Sequence, residues 1–295
     1  MDSPTYNLMQ ILRDRVDSLV ADQNYDEAVH AASAAVEKAQ SSLTSDFDSV
    51  DAFAGALEVR AELYRSLRRM EEAKDDYKQA IDQLENRADR ILQMARLHAT
   101  FGALHDEMGN TERAAELWKK SLELFETADP PATLDVIVMA NNIAYLMKSA
   151  GETDEAETYF LKALELSHQV HGPDHEETAT VSNNLGALYL SSGYFEQARE
   201  MHMMALEARR KALGDSHPDT AQSHNNLALA LLETGDRSWA RRHFEKAMSI
   251  FESLGKGYLE DLEAVSNNYC QFLREEGEEG SAVRIENLVK GIAAG

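Results

Sequence analysis

The sequence repeats itself every 42 residues, and this period constrains the fold more than any other feature. Asparagine doublets recur at that step, at Asn141-Asn142, Asn183-Asn184, Asn225-Asn226 and Asn267-Asn268. Two further series share the step: glycines at Gly109, Gly151, Gly193, Gly235 and Gly277, and alanines at Ala114, Ala156, Ala198, Ala240 and Ala282. Three series with one period indicate an array of equivalent units, each of which buries its apolar face against its neighbours.

A frame of four positions surrounds each alanine. A small residue stands twelve positions before it, usually an aromatic residue four after it, and usually Ala or Ser seven after it. Seven units carry this frame, the first and last most weakly: Val16-Ala28-Ala32-Ala35, Ala61-Ala73-Tyr77-Ala80, Gly102-Ala114-Trp118-Ser121, Ala144-Ala156-Phe160-Ala163, Gly186-Ala198-His202-Ala205, Ala228-Ala240-Phe244-Ala247 and Cys270-Ala282-Glu286-Val289.

The frame is typical of a pair of antiparallel helices. Small residues let two helices approach closely, and the aromatic residue fills the space against the next pair. The recurring glycine ends the first helix, because glycine adopts the left-handed conformation without a Cβ penalty. Pro218 suits a first helical turn, with Ser216 or His217 near the cap. We therefore predict an all-α fold of about fourteen helices in seven pairs, with Ala156, Ala198 and Ala240 buried between paired helices.

This frame resembles the tetratricopeptide repeat over nearly the whole chain. The 42-residue period, the asparagine doublets and the segment 214–221 (GDSHPDTA) are similar to the kinesin-light-chain type of that repeat, most specifically over residues 132–275. The resemblance implies a right-handed solenoid whose concave face is lined by the first helix of each pair. Kinesin light chains also carry a heptad coiled coil, and residues 1–50 show no sustained heptad. We therefore expect a stand-alone repeat protein rather than a kinesin light chain.

The repeats are expected to form one continuous solenoid with two regions. Residues 1–131 hold three divergent units, and residues 132–295 hold four kinesin-light-chain-like units. The last unit is interpreted as a cap with a polar outer face, since Glu278, Glu279 and Glu286 stand where other units are less acidic.

Helical spacing places a stripe of side chains beside each buried small residue. The stripes are Asn141, Tyr145, Lys148; Asn183, Ala187, Leu190; Asn225, Leu229, Leu232; and Asn267, Gln271, Arg274, with Asn142, Asn184, Asn226 and Asn268 along the edge. Regularly spaced amides match the donors and acceptors of an extended peptide. We predict that these asparagines bind peptide main chain, that Tyr145 and Leu229 contact its side chains, and that Lys148 and Arg274 orient acidic groups.

A second interpretation remains open for the asparagines: they join adjacent repeats, because asparagine is a poor residue for a helix interior unless its side chain is bonded. The charge of the predicted groove is sparse, with Glu233 and Glu275 against its two cations. The stripes of the N-terminal units instead carry mixed charges: Arg13, Asp17, Glu58, Glu62, Arg65, Arg96, Asp106 and Glu107. Neither zone holds the basic cluster that co-chaperones of this class use for acidic tails.

Composition excludes several classes of function. Asp and Glu number 52 against 29 Lys and Arg, and the net charge of −23 disfavours nucleic acid and anionic membranes as partners. The single cysteine, Cys270, excludes an intramolecular disulfide and a cysteine-based zinc site. The sequence contains no apolar run of membrane-spanning length and no signal-peptide pattern, so we expect a cytoplasmic protein.

No catalytic or cofactor motif is present. His168, His171 and His175 have spacing compatible with metal binding, but His175 recurs as His217 at a second helix start, so a loop role explains it better. His202 and Cys270 occupy packing positions. We predict no enzyme activity, no cofactor and no metal, and a scaffold that binds a protein or peptide partner. The alternatives are a self-assembling structural protein and, less favoured, a small-ligand sensor or enzyme.

Overall fold

The computed structural model describes the backbone of residues 4–85 and 87–294 and the side chains from residue 7 onward. Within these ranges the chain forms helices and no β-strand, which confirms the predicted all-α class. The helices are α1 (Pro4–Ala21), α2 (Tyr25–Ser41), α3 (Phe47–Ser66), α4 (Met70–Leu84), α5 (Ile91–Glu107), α6 (Thr111–Thr127), α7 (Thr133–Ala150), α8 (Thr153–His171), α9 (Glu176–Ser191), α10 (Phe195–Leu213), α11 (Pro218–Glu233), α12 (Arg237–Leu254), α13 (Leu259–Glu275) and α14 (Glu279–Ala294).

The helices divide by contact into two compact units, Met1–Met139 and Ala140–Gly295. In the first unit α1 packs on α2, α3 on α4 and α5 on α6; in the second unit α9 packs on α10, α11 on α12 and α13 on α14. The boundary lies inside α7, C-terminal to the division that the sequence suggested after residue 131. None of the described helices combines the length and the apolar character that a membrane span requires.

The repeating frame occupies the core of the helix pairs between the two terminal units, as predicted. Ala156, Ala198 and Ala240 are fully buried, and so are the rings of Phe160 and Phe244. Where the slot holds His202 or Trp118, glycine faces the ring. A Cβ on Gly186 would lie 2.8 Å from Cε1 of His202, and one on Gly102 would lie 2.4 Å from Cδ1 of Trp118. The small-residue position is therefore matched to the ring across from it.

Turns and caps follow the sequence signals. The recurring glycines that follow the first helix of each pair have positive φ, for example +80° at Gly193 and +84° at Gly235. His175 and His217 are the N-cap residues of α9 and α11, and in each the ring Nδ1 accepts the main-chain N–H two residues on, at 3.2 Å. Pro218 is the first residue of α11, which confirms its predicted place.

A leucine at position 198 should overpack the α9–α10 pair. Because the side chain of Ala198 is fully buried, we expect Ala198→Leu to lower the free energy of unfolding by about 1–3 kcal/mol. Urea denaturation followed by circular dichroism measures this. Ala212→Leu is the matched control, since Ala212 lies on the same helix and is exposed. Equal stability of the two variants would contradict the assigned packing.

His202 should make the free energy of unfolding depend on pH in the acidic range. Its ring is 1% exposed, neither ring nitrogen has a hydrogen-bond partner among the described residues, and burial lowers its pKa to about 4. An unfolded histidine has a pKa of about 6.5, so below that pH the unfolded chain binds a proton that the folded chain does not. The free energy of unfolding should therefore fall as the pH drops from about 6.5 to about 4.

Phenylalanine fills the same slot in the two neighbouring repeats, so His202→Phe tests this origin. We expect the variant to be about 1–3 kcal/mol more stable at neutral pH, because it removes buried polar atoms without partners, and to lose less stability on acidification. Urea denaturation at neutral and acidic pH measures both. His30→Phe, at an exposed position of α2, is the control. An unchanged acid dependence in His202→Phe would contradict the assignment.

Candidate functional site

The asparagine doublets form a ladder of hydrogen bonds between successive repeats of the second unit. Asn184 donates from Nδ2 to Oδ1 of Asn141 at 3.0 Å, and Asn226 donates to Asn183 at 2.8 Å. Asn268 donates to Asn225 at 3.1 Å. In the three later repeats the second asparagine thus bonds the first asparagine of the repeat before it, so both members of the doublets take part in joining repeats.

In all three rungs the later repeat donates and the earlier repeat accepts. The two ends of the ladder therefore differ in the hydrogen bonds that they can still form. A side-chain amide has two N–H donors and an oxygen that accepts two bonds. The Nδ2 groups of Asn141 and Asn183 are not used in the rungs. Asn267 lies beyond the last rung and is exposed, and Asn142 precedes the first rung and is half-buried.

Asn225 and Asn226 are the most heavily bonded doublet. Besides its rung to Asn183, Asn226 accepts a hydrogen bond from Gln222 Nε2 at 3.1 Å and one from Asn225 Nδ2 at 3.3 Å. Asn225 is only 4% exposed. This doublet is therefore engaged inside the protein, while the Nδ2 groups of Asn141, Asn183 and Asn267 take no part in the rungs.

A pocket of about 530 Å³ lies along the same stripe. It is lined by the stripe residues Leu190, Leu229, Leu232 and Gln271, by Asn268 at the edge, and also by Phe195, Glu233, Arg237, Phe272 and Glu275. The structure therefore brings together side chains from α9, α11 and α13 that the sequence placed on one face. Tyr145, the corresponding aromatic residue on α7, is 61% exposed.

The two cations predicted for the groove have different surroundings. Arg274 donates to Glu286 at 2.6 Å and to Glu279 at 3.3 Å, so acidic residues of α14 hold its guanidinium. Lys148 is half-buried, and burial lowers the pKa of its ammonium. Within the pocket, Arg237 Nη2 lies 3.3 Å from Glu275 and its guanidinium lies over the ring of Phe272. The exposed Glu233 adds negative charge to the same wall.

The mixed-charge stripe of the first unit is closed by ion pairs. Arg13 on α1 lies 3.7 Å from Glu58 and 3.4 Å from Glu62 on α3, and Arg65 donates to Glu107 on α5 at 2.5 Å. Burial raises the pKa of both Glu58 and Glu62, the latter to about 7. These side chains link neighbouring helices of that unit.

Sequence reasoning missed three residues that line the pocket: Phe195, Arg237 and Phe272. Phe195 and Arg237 are the first residues of α10 and α12 and occupy one position of the 42-residue register, which holds Thr153 and Glu279 in the flanking repeats. A position that varies from Thr to Phe to Arg to Glu gives no periodic signal. Phe272 stands next to the stripe, where the neighbouring repeats hold Leu188 and Ala230.

Comparison with known families agrees with the fold. A family model described as tetratricopeptide repeat matches residues 135–211 and 192–253, and a second model of the same description matches residues 54–83. The chain belongs to the tetratricopeptide repeat family. No curated protein sequence matches it.

Solved structures extend the agreement to kinesin-light-chain-like repeats. BtubC (BKLC) from P. vanneervenii is 26% identical, with 78% of this chain and 92% of that chain covered and a TM-score of 0.65. The nearly identical repeats of a putative kinesin light chain from Podosopora anserina are 16% identical, with 68% and 94% covered and a TM-score of 0.58. RapI in its apo form is 15% identical, with 82% and 97% covered and a TM-score of 0.61. The last two likenesses show the fold alone.

The rungs should contribute to stability, and the two ends of the ladder offer a matched comparison. Asn184→Ala removes one rung, whereas Asn142→Ala removes a second asparagine that precedes the first rung. Both changes gain the same helix propensity. We therefore expect Asn184→Ala to be less stable than Asn142→Ala by about 0.5–1.5 kcal/mol, as measured by urea denaturation. Equal stabilities would show that the rung contributes nothing to folding.

Proposed function

We propose that the second unit binds an extended segment of a partner protein along the stripe formed by α7, α9, α11 and α13. Tetratricopeptide repeat proteins are generally interaction scaffolds rather than enzymes, which supports the class of function. The observation that carries the specific proposal is the coincidence of a pocket that has leucine side chains in its lining with a line of amide side chains on the same helices.

The polar part of the contact is assigned to the asparagines with unused capacity. Asn141 and Asn183 each have Nδ2 donors outside the ladder, and Asn267 is exposed. Each neutral hydrogen bond to a peptide contributes about 0.5–1.5 kcal/mol net. These contacts fix the direction and register of the segment, with little affinity from any one of them. Asn142, Asn184, Asn226 and Asn268 border the same line, and Asn225 supports it from within.

The apolar part of the contact is assigned to the pocket. Leu190, Leu229 and Leu232 form its aliphatic wall, and Phe195 supplies aromatic surface. Phe272 is only 1% exposed and lines the pocket from the protein interior. Burying one large apolar side chain of the partner there contributes about 1.5–3 kcal/mol, more than any single amide contact. Tyr145 offers a second exposed aromatic surface farther along the stripe.

The charged side chains in and near the pocket determine which charged residues the partner segment should carry beside its apolar residue. Glu233 is exposed at the wall, and Glu275 is shared with Arg237. A segment with a large apolar residue followed or preceded by Lys or Arg would complement this wall. Lys148 is assigned to bind an acidic group of the segment at the α7 end. Arg274 can bind such a group only while it also pairs with Glu279 and Glu286.

The proposal is tested with a displayed library of random linear peptides selected on the purified chain. Selected peptides are measured by calorimetry against wild type and Leu229→Ala/Leu232→Ala. We expect the double variant to bind about tenfold or more weakly. Met203→Ala is the matched control, because Met203 is an exposed apolar residue outside the pocket lining. Selection of no peptide, or equal binding by the pocket variant, would contradict the proposal.

Asn267→Ala separates peptide binding from repeat joining, because Asn267 is exposed and lies outside the three rungs. Because Asn267 is assigned a hydrogen bond to the peptide, we expect Asn267→Ala to bind the peptide up to about tenfold more weakly. Its unfolding by urea should be unchanged. Calorimetry with the same selected peptides measures the first quantity. Weaker folding with unchanged binding would assign Asn267 to the scaffold instead.

A further inference from the structure

Two histidines and a glutamate meet where α8 ends and α9 begins. His171 is the last residue of α8, His175 is the N-cap of α9, and Glu177 lies in the first turn of α9. Their ligand atoms all lie within 4.8 Å of one another. Nε2 of His171 is 2.6 Å from Oε2 of Glu177, and the two imidazole rings are stacked with centroids 4.2 Å apart.

We propose that His171, His175 and Glu177 form a binding site for a divalent transition metal of the zinc class. Two imidazoles and one carboxylate are a donor set that zinc accepts, with the remaining position filled by water. By sequence spacing His168 is the third donor beside these two histidines, and a loop role explains His175 better. In the structure the third donor is Glu177, which a search among histidines alone does not include.

The distances among the three donors are close to those of a tetrahedral site. Bonds of about 2.0–2.1 Å at the tetrahedral angle place neighbouring donor atoms about 3.3 Å apart. The contact between His171 and Glu177, at 2.6 Å, has to open by about 0.7 Å to reach that separation, and the wider separations have to close. His171 has 18% of its side chain exposed and Glu177 has 53%, so rotation of the exposed carboxylate and of the His175 ring supplies this movement.

Two features of the loop oppose metal binding and set its cost. The stacked rings must turn so that their nitrogens converge on one point. His175 also uses Nδ1 to accept the N–H of Glu177, so coordination at Nδ1 displaces that bond and coordination at Nε2 requires the other tautomer. Either route gives up one capping contact in exchange for bonds from three protein ligands, an exchange that favours the metal-bound loop.

The local charge favours a cation. The C-terminal end of α8 carries the negative end of its helix dipole, which offsets the positive end of α9. Glu176, Glu177 and Asp174 surround the loop, and Lys211 is the cation paired with Asp174, at 2.8 Å. The chain as a whole carries a net charge of −23, which raises the local concentration of cations.

The next repeat shows that the fold does not require this set of donors. The corresponding junction between α10 and α11 has the same N-cap histidine, His217, and an acidic residue two positions on, Asp219. In place of His171 it holds Leu213. His171 is therefore an additional donor at a position that leucine fills in a copy of the same turn. A metal bound there would fasten α8 to α9, and so join two successive repeats.

The test uses the purified full chain with Zn²⁺ alone, measured by calorimetry and thermal unfolding, and with Co²⁺ alone, measured by its visible absorption. We expect one Zn²⁺ bound per chain, a higher unfolding temperature with Zn²⁺, and the strong absorption of tetrahedral Co²⁺.

His171→Leu copies the natural residue of the next repeat and should fold normally while binding Zn²⁺ about tenfold or more weakly. His217→Asn is the matched control, since asparagine is also a good N-cap residue, and it should bind Zn²⁺ like the wild type. Absence of Zn²⁺ binding by the wild type overturns the proposal. So does equal binding by His171→Leu, which would place the ion on other surface groups.

Discussion

Close packing of a ring on one helix against a glycine or alanine on its paired helix is the constraint on which the rest of the structure depends. Gly186 leaves no room for a Cβ beside His202, and Gly102 leaves none beside Trp118. Ala144 and Ala228 provide the equivalent surfaces for the neighbouring phenylalanines and are fully buried. Because protein interiors are packed to crystal-like density, this match fixes the approach of each helix pair. As a result, the stripe of side chains on the first helix has the same position in each repeat.

Much of the fold could be predicted because the repeats place equivalent residues in equivalent surroundings. The alanine slots, the positive-φ glycines and the N-cap histidines are local features, and a 42-residue register transfers them from unit to unit. The partner of each asparagine could not be predicted in the same way. Asn184 meets Asn141 rather than Asn142 because of the offset between adjacent helices, and that offset is set by side chains throughout the pair.

The candidate site was predictable in its helices and less so in its individual residues. Leu229 lines the pocket as the stripe predicts. The environment of Arg274 depends on Glu279 and Glu286 of the following helix, which the sequence analysis interpreted only as polar cap residues. Phe195 was missed because its register position varies freely. Contacts made across elements, rather than along one helix, account for each of these differences.

The ladder of rungs has a consequence for the thermodynamics of the proposed peptide recognition. Each rung joins side chains 43 positions apart, so it resists sliding of one repeat past the next and holds the spacing between successive first helices. A surface held in this way is preorganised: a ligand meets rotamers that folding has already immobilised. The entropy lost on ordering the receptor is then small, and more of each contact is retained as binding free energy. The same bonds that join the repeats thus set how efficiently the surface between them converts contact into affinity.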